Sequence, residues 1–200
     1  MVFLDSAKAN ANTIAVIAIG SAVRPGVASS DLDMLIICTD PSNVTPPPPL
    51  EVDLRVYSAA DIDSKIATGH DMLVWAVMFG RVLFQRHCFW DRIVESWRDR
   101  LPLPSSTLAR TRAAAAHRRM TNLLDLGDAD AVREQAISYL THLARAELLE
   151  KGVYPASRPE LPDQLREIGD YNLAGRLDRM LQEDSADTLQ TSELLGPIVA

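Results

Sequence analysis

TIAVIAIGSAVRPGVASSDLD, residues Thr13 to Asp33, is the stretch whose reading decides the fold. Its first seven residues, Thr13 to Ile19, form an apolar run rich in β-branched side chains, the pattern of a buried strand. The run stops at Gly20-Ser21 and crosses a turn-rich segment holding Pro25, Gly26, Ser29 and Ser30. It then resumes as an alternating segment at Asp31-Leu32-Asp33. The stretch therefore reads as strand, phosphate-sized turn, strand. Side chains alternate across a strand, so Asp31 and Asp33 share one face with α-carbons about 6.5–7 Å apart. Two carboxylates held this close repel one another, and a divalent cation is the usual compensation. Gly20 lets backbone approach a ligand, and Ser21 stands where a helix or turn begins, offering N–H groups and a hydroxyl to an anion. A triphosphate carried by magnesium satisfies both halves.

With Gly20-Ser21, nine intervening residues, Asp31-Leu32-Asp33 and Ser30 just ahead of the pair, the chain resembles the DNA polymerase beta-like nucleotidyltransferase superfamily. That resemblance implies a third carboxylate on a following strand, and Asp53 within EVDLRVY (Glu51 to Tyr57) is the candidate. It also implies that Asp31, Asp33 and Asp53 hold two magnesium ions, while Gly20, Ser21, Arg24 and Ser30 face the triphosphate, expected to be ATP. Arg24 lies seven residues before Asp31, where the family often has a phosphate-binding arginine. Pro25 follows it where glycine is common, which is a departure from the family pattern.

Working outward, residues 1–12 read as a short helix or turn, and Pro41 to Pro49 as an exposed polyproline-like connection. In the next strand Val52, Leu54 and Val56 share one face and Asp53, Arg55 and Tyr57 the other, so Asp53 faces away from the apolar layer. A helical period then begins, with Ser58 as a cap, Ile62 and Ile66 on one stripe and Gly69 as a stop. A second helix spans about Asp71 to Phe79 and ends at Gly80, followed by a short strand, Arg81 to Phe84. Trp75, Phe79 and Phe84 have the shape to stack a nucleobase, but aromatics at such spacing more commonly pack a core. Phe89 to Leu101 is an amphipathic helix with Trp90, Ile93, Val94 and Trp97 on one stripe.

Pro102 to Ser106 marks a boundary, giving a nucleotidyltransferase domain over 1–101 and a C-terminal helical bundle over 102–200. The fold class is thus α+β, a small mixed-sheet domain followed by an all-helical bundle. Helices are expected over about Thr107–Leu126, Ala129–Lys151, Asp163–Ile168 and Tyr171–Gln182, with Gly127, Gly152 and Gly169 as stops. This half resembles the bundle that follows the catalytic domain in small-molecule nucleotidyltransferases and, in style, the bundles called HEPN. Arg112-x4-His117 matches the HEPN ribonuclease spacing, yet a solvated arginine-rich helix face explains it better.

The 200 residues, 47% hydrophobic and 24% charged, suffice for one or two domains with cores. Cys38 and Cys88 lie far apart without metal-ligand spacing and read as buried apolar fillers, so neither a disulfide framework nor a zinc site is indicated. The longest early apolar run is too short to span a bilayer and no basic segment opens a signal peptide before it, so no membrane partner and a cytoplasmic location are expected. The net charge of −7 is uneven: residues 86–120 carry eight arginines against three acidic residues, residues 121–200 seven basic against fifteen acidic. An acidic chain is a poor general nucleic-acid binder, although a local basic face can attract nucleotide phosphates or RNA.

The resemblance implies transfer of a nucleoside monophosphate from a nucleoside triphosphate to a hydroxylated acceptor, with a small molecule such as an aminoglycoside favoured. Two alternatives stay open. One is a toxin–antitoxin type enzyme that modifies a partner protein or tRNA, and the other a non-catalytic relative acting as a binding protein. A homodimer is compatible with either.

Overall fold

The computed structural model describes residues 2–24, 32–43 and 52–182. The chain divides into two compact units, Met1–Pro104 and Ser105–Ala200. The fold is α+β, with a four-stranded mixed sheet and eight α-helices among the described residues. No described helix is long and apolar enough to cross a membrane.

In the first unit, α1 (Val2–Ala9) leads into β1 (Thr13–Ile19), which is followed by β2 (Leu32–Cys38) and β3 (Val52–Ser58). Then come α2 (Ile62–Ala67), α3 (Asp71–Phe79), β4 (Arg81–Gln85) and α4 (Phe89–Trp97). The sheet order is β3-β2-β1-β4, with β1 antiparallel to β2 and β4, and β2 parallel to β3. Central β1 is buried along nearly its whole length, which is why its sequence is a continuous apolar run without alternation. Edge strand β3 keeps the alternation because one of its faces stays wet.

One sheet face carries Val16, Met34, Ile36 and Cys38, with Leu54 and Val56 beside them, and α1 covers it through Phe3 and Ala7. The opposite face carries Ile17, Leu35 and Ile37. There α3 comes in at its C-terminal end, so close that a Cβ on Gly80 would lie 2.8 Å from the Ile17 Cγ2. Ile62, Ile66, Leu73, Val74, Ala76 and Trp90 supply the buried side chains of the helices α2 to α4. Trp97 Nε1 donates to Asp63 Oδ1 at 2.8 Å and ties α4 to α2. Asn12 clamps the turn after β2, donating to the Asp40 and Asn43 carbonyls at 2.8 and 2.9 Å while accepting from the Asp40 N–H. Most of the proline-rich connection after that turn falls outside the described residues.

Beyond shifts of a residue or two at element ends, two details of this unit differ from the sequence-based expectation. Helix α4 ends at Trp97 and not at Leu101: the last N–H groups turn back on Val94 and Trp97, and Pro102 disfavours helical backbone in the residue before it. Of the two cysteines, Cys38 is buried but Cys88 is exposed. Cys88 follows His87, and both have left-handed backbone, φ 52° and 50°, so this pair turns the chain sharply into α4. The N-terminus of α4 is capped by Gln85, whose Oε1 accepts from the Trp90 and Asp91 N–H groups at 2.9 and 3.2 Å.

The second unit comprises α5 (Ser106–Leu124), α6 (Ala129–Glu150), α7 (Leu161–Glu167) and α8 (Tyr171–Gln182). Ser105 and Asp128 cap α5 and α6, accepting from the Leu108 and Ala131 N–H groups. The core joins Met120 of α5 to Ile137, Leu140, Ala144 and Leu148 of α6, Leu161 and Leu165 of α7, and Leu173, Leu177 and Met180 of α8. Arg110 on α5 forks onto Glu150 and Glu147 of α6, with N–O distances of 2.7 and 2.9 Å, which holds its own pKa above the ordinary arginine value and that of Glu150 below the usual carboxylate range. Ser157 and Glu160 form a capping box ahead of α7, and Gln164 bonds the backbone of Tyr154 and Ala156. Burial pushes the Tyr154 hydroxyl up to about 12.

Candidate functional site

The candidate site lies at one end of the sheet, where β1 stops and β2 begins. Gly20 follows β1 with φ 77° and ψ −165°, a backbone region open essentially to glycine alone. The same residue is also sterically pinned. A Cβ there would overlap Asp33 Oδ2 and come within 3.2 Å of its Cγ. Residue 20 therefore lacks a side chain for two independent reasons, a dihedral one and a contact one, and the second exists only because the Asp33 carboxylate lies against the backbone. Ser21 opens a 3₁₀ turn, Ser21–Val23, and its carbonyl accepts from the Arg24 N–H at 2.9 Å.

Asp33 stands opposite Ile19 on β1 and opposite Asp53 on β3. The Asp33–Asp53 pairing is in register across a parallel ladder, so the two carboxylates project from the same face on strands about 4.8 Å apart. Like charges directly across a ladder destabilise it. Part of the compensation is visible: Arg55, two residues along β3 on that face, pairs with Asp53 Oδ2 at 2.8 Å, both side chains about half exposed. Beyond Arg55 the face continues with Tyr57, whose ring meets His70 edge-on at 5.5 Å between centroids. Burial raises the Tyr57 pKa, with Arg55 opposing the rise and Asp71 adding to it.

Arg24 ends the 3₁₀ turn in extended backbone, φ −93° and ψ 128°, the conformation that a following proline favours. Its guanidinium lies over the Phe79 ring, 4.4 Å from the centroid, at the C-terminal end of α3. Phe79 in turn meets Trp75 at 5.0 Å.

Of the residues that the sequence reading singled out, Gly20, Ser21, Arg24, Asp33 and Asp53 are described, and Gly20, Asp33 and Asp53 come together. Asp31 and Ser30 lie outside the described residues. Among the described residues, no group of three or more His, Cys, Asp or Glu side chains gathers as a metal site. The donors on this face are nonetheless carboxylate oxygens, the set that suits a hard divalent cation such as magnesium.

Two contacts escaped the sequence reading. The Arg55 partnership had a signal, since residues 53 and 55 share a strand face. The Phe79 contact had none, because residues 24 and 79 are brought together only by the path of the chain. Phe84, grouped with Trp75 and Phe79 as a base-stacking candidate, packs against the sheet core on the α1 side, with Arg86 over its ring at 5.2 Å.

No family model and no curated protein sequence matches the chain. Among solved structures it is similar to a nucleotidyltransferase-like protein from Exiguobacterium sibiricum, at 20% identity and a TM-score of 0.44, over 97% of this chain and 72% of that one. A likeness so distant carries no functional argument.

Proposed function

We propose that this protein transfers a nucleoside monophosphate from a nucleoside triphosphate, ATP by preference, to a hydroxyl of a small acceptor and releases pyrophosphate. The observation that supports this most is the in-register pair Asp33 and Asp53 beside a glycine whose backbone touches the Asp33 carboxylate. A structural turn would require neither feature. In this reading Asp31, Asp33 and Asp53 hold magnesium, which when bound neutralises charge on the phosphoryl oxygens. Ser21 and the backbone at Gly20 face the triphosphate, and Arg24 contributes positive charge. The acceptor oxygen forms a bond to the α-phosphorus as the α–β bridging bond breaks. Its proton passes to Asp53, which the half-exposed position of that side chain allows. The net charge of −7 favours a neutral or cationic acceptor, such as an aminoglycoside, over a nucleic acid.

Calorimetric titration of the full chain with ATP, with and without magnesium, tests the reading. Magnesium-dependent binding that is lost in Asp33→Ala supports it, and unchanged affinity in that variant overturns it. Incubation with labelled ATP and a panel of aminoglycosides, against the same reaction with cell lysate, separates a small acceptor from a labelled protein or RNA.

A further inference from the structure

Arg24 is held at both ends. Pro25 biases its backbone to the extended form, and its guanidinium rests on Phe79, whose ring is in turn braced by Trp75. We infer that Phe79 is a positioning residue for nucleotide binding: it aims Arg24 at the triphosphate and does not itself stack a nucleobase. The guanidinium lies over the ring at 4.4 Å and Trp75 packs beside it at 5.0 Å, so a base stacked on that surface would have to displace Arg24. An arginine side chain carries several rotatable bonds and loses much rotamer freedom when it engages phosphate. Stacking on an aromatic face removes part of that freedom beforehand, and it engages the flat face of a guanidinium and not its N–H edge. The side chain that fixes Arg24 thus comes from a helix fifty-five residues away and not from the phosphate-binding turn.

The inference rests on the nucleotidyltransferase reading, and a mutant cycle keeps the two separable. Magnesium-ATP affinity is measured by calorimetry for the wild type, Arg24→Ala, Phe79→Leu, Phe79→Tyr and the double variant Arg24→Ala with Phe79→Leu. The expected result is a loss of about threefold to tenfold for Phe79→Leu, the scale of a cation–π contact, with Phe79→Tyr close to wild type. In the Arg24→Ala background Phe79→Leu should cost nothing further, whereas a merely structural loss would persist there. If the wild type does not bind magnesium-ATP, the proposed function falls and the inference with it. If the wild type binds and Arg24→Ala weakens binding while Phe79→Leu does not, or if the two losses simply add, the inference alone is overturned. An Arg24→Ala variant that binds like wild type overturns it as well.

Discussion

Gly20→Ala is the sharpest probe of the site, because the structure forecasts two separable penalties for one methyl group. The first is conformational. With φ 77° and ψ −165°, residue 20 occupies backbone space that costs a side-chain-bearing residue about 1–3 kcal/mol. For a chain of this size each kcal/mol lowers Tm by roughly 2–4 °C, so a fall of about 2–12 °C is expected. The second is local: the new methyl overlaps Asp33 Oδ2, and the carboxylate must leave its position opposite Asp53. Gly152→Ala supplies the control. Gly152 also has positive φ, 76°, but nothing lies within 4 Å of its missing Cβ, so that variant should lose only about 1–2 kcal/mol of backbone strain. Thermal unfolding and magnesium-ATP titration of both variants form the assay. Destabilisation in both, with binding lost by tenfold or more only in Gly20→Ala, is the expected pattern. A Gly20→Ala variant that binds as tightly as Gly152→Ala would refute the idea that the Gly20–Asp33 contact shapes a ligand site.

Three further outcomes are expected. Asp53→Asn, which keeps shape but removes charge and basicity, should bind magnesium-ATP within a few-fold of wild type yet lose transfer by roughly a hundredfold or more, the scale of a lost general base, as pyrophosphate release will show. Trp97→Phe keeps the buried ring but deletes the 2.8 Å bond to Asp63, and should destabilise by about 1–2 kcal/mol in denaturant unfolding, with no change in nucleotide binding. Tyr154 has its folded-state pKa raised to about 12 from an ordinary value near 10, so its contribution is fully present below about pH 10 and is lost as pH rises through about 12. Because the side chain is partly exposed the loss should stay near 1 kcal/mol, and unfolding free energies measured across that window should fall less steeply in Tyr154→Phe than in wild type.

Local chemistry carried most of the elements of this protein in a form that could be read directly. The β-branched run before Gly20, the alternation from Val52 to Tyr57, and the stops at Gly69, Gly127, Gly152 and Gly169 each depend on a residue and its near neighbours, and the elements fall within a few residues of where those patterns put them. Exceptions arose where a distant partner overrode the local signal: Gln85 caps α4 in place of a residue at its start, and Cys88, apolar in type, is spent on a left-handed turn. The site divides in the same way. That Gly20 and Asp33 are candidates was legible, because a glycine at a strand end and a carboxylate pattern are sequence-local facts. The resemblance put Asp53 with Asp33, but that the two stand level was not legible, because register across a parallel ladder depends on where a connection of thirteen residues lets β3 dock, and a slip of one residue would turn Asp53 into the α1 core. Only the tertiary structure decided that, along with the Arg24–Phe79 contact. Both join residues far apart in the chain, whose proximity follows from burying the apolar faces of β3 and α3 and from no property of the residues themselves.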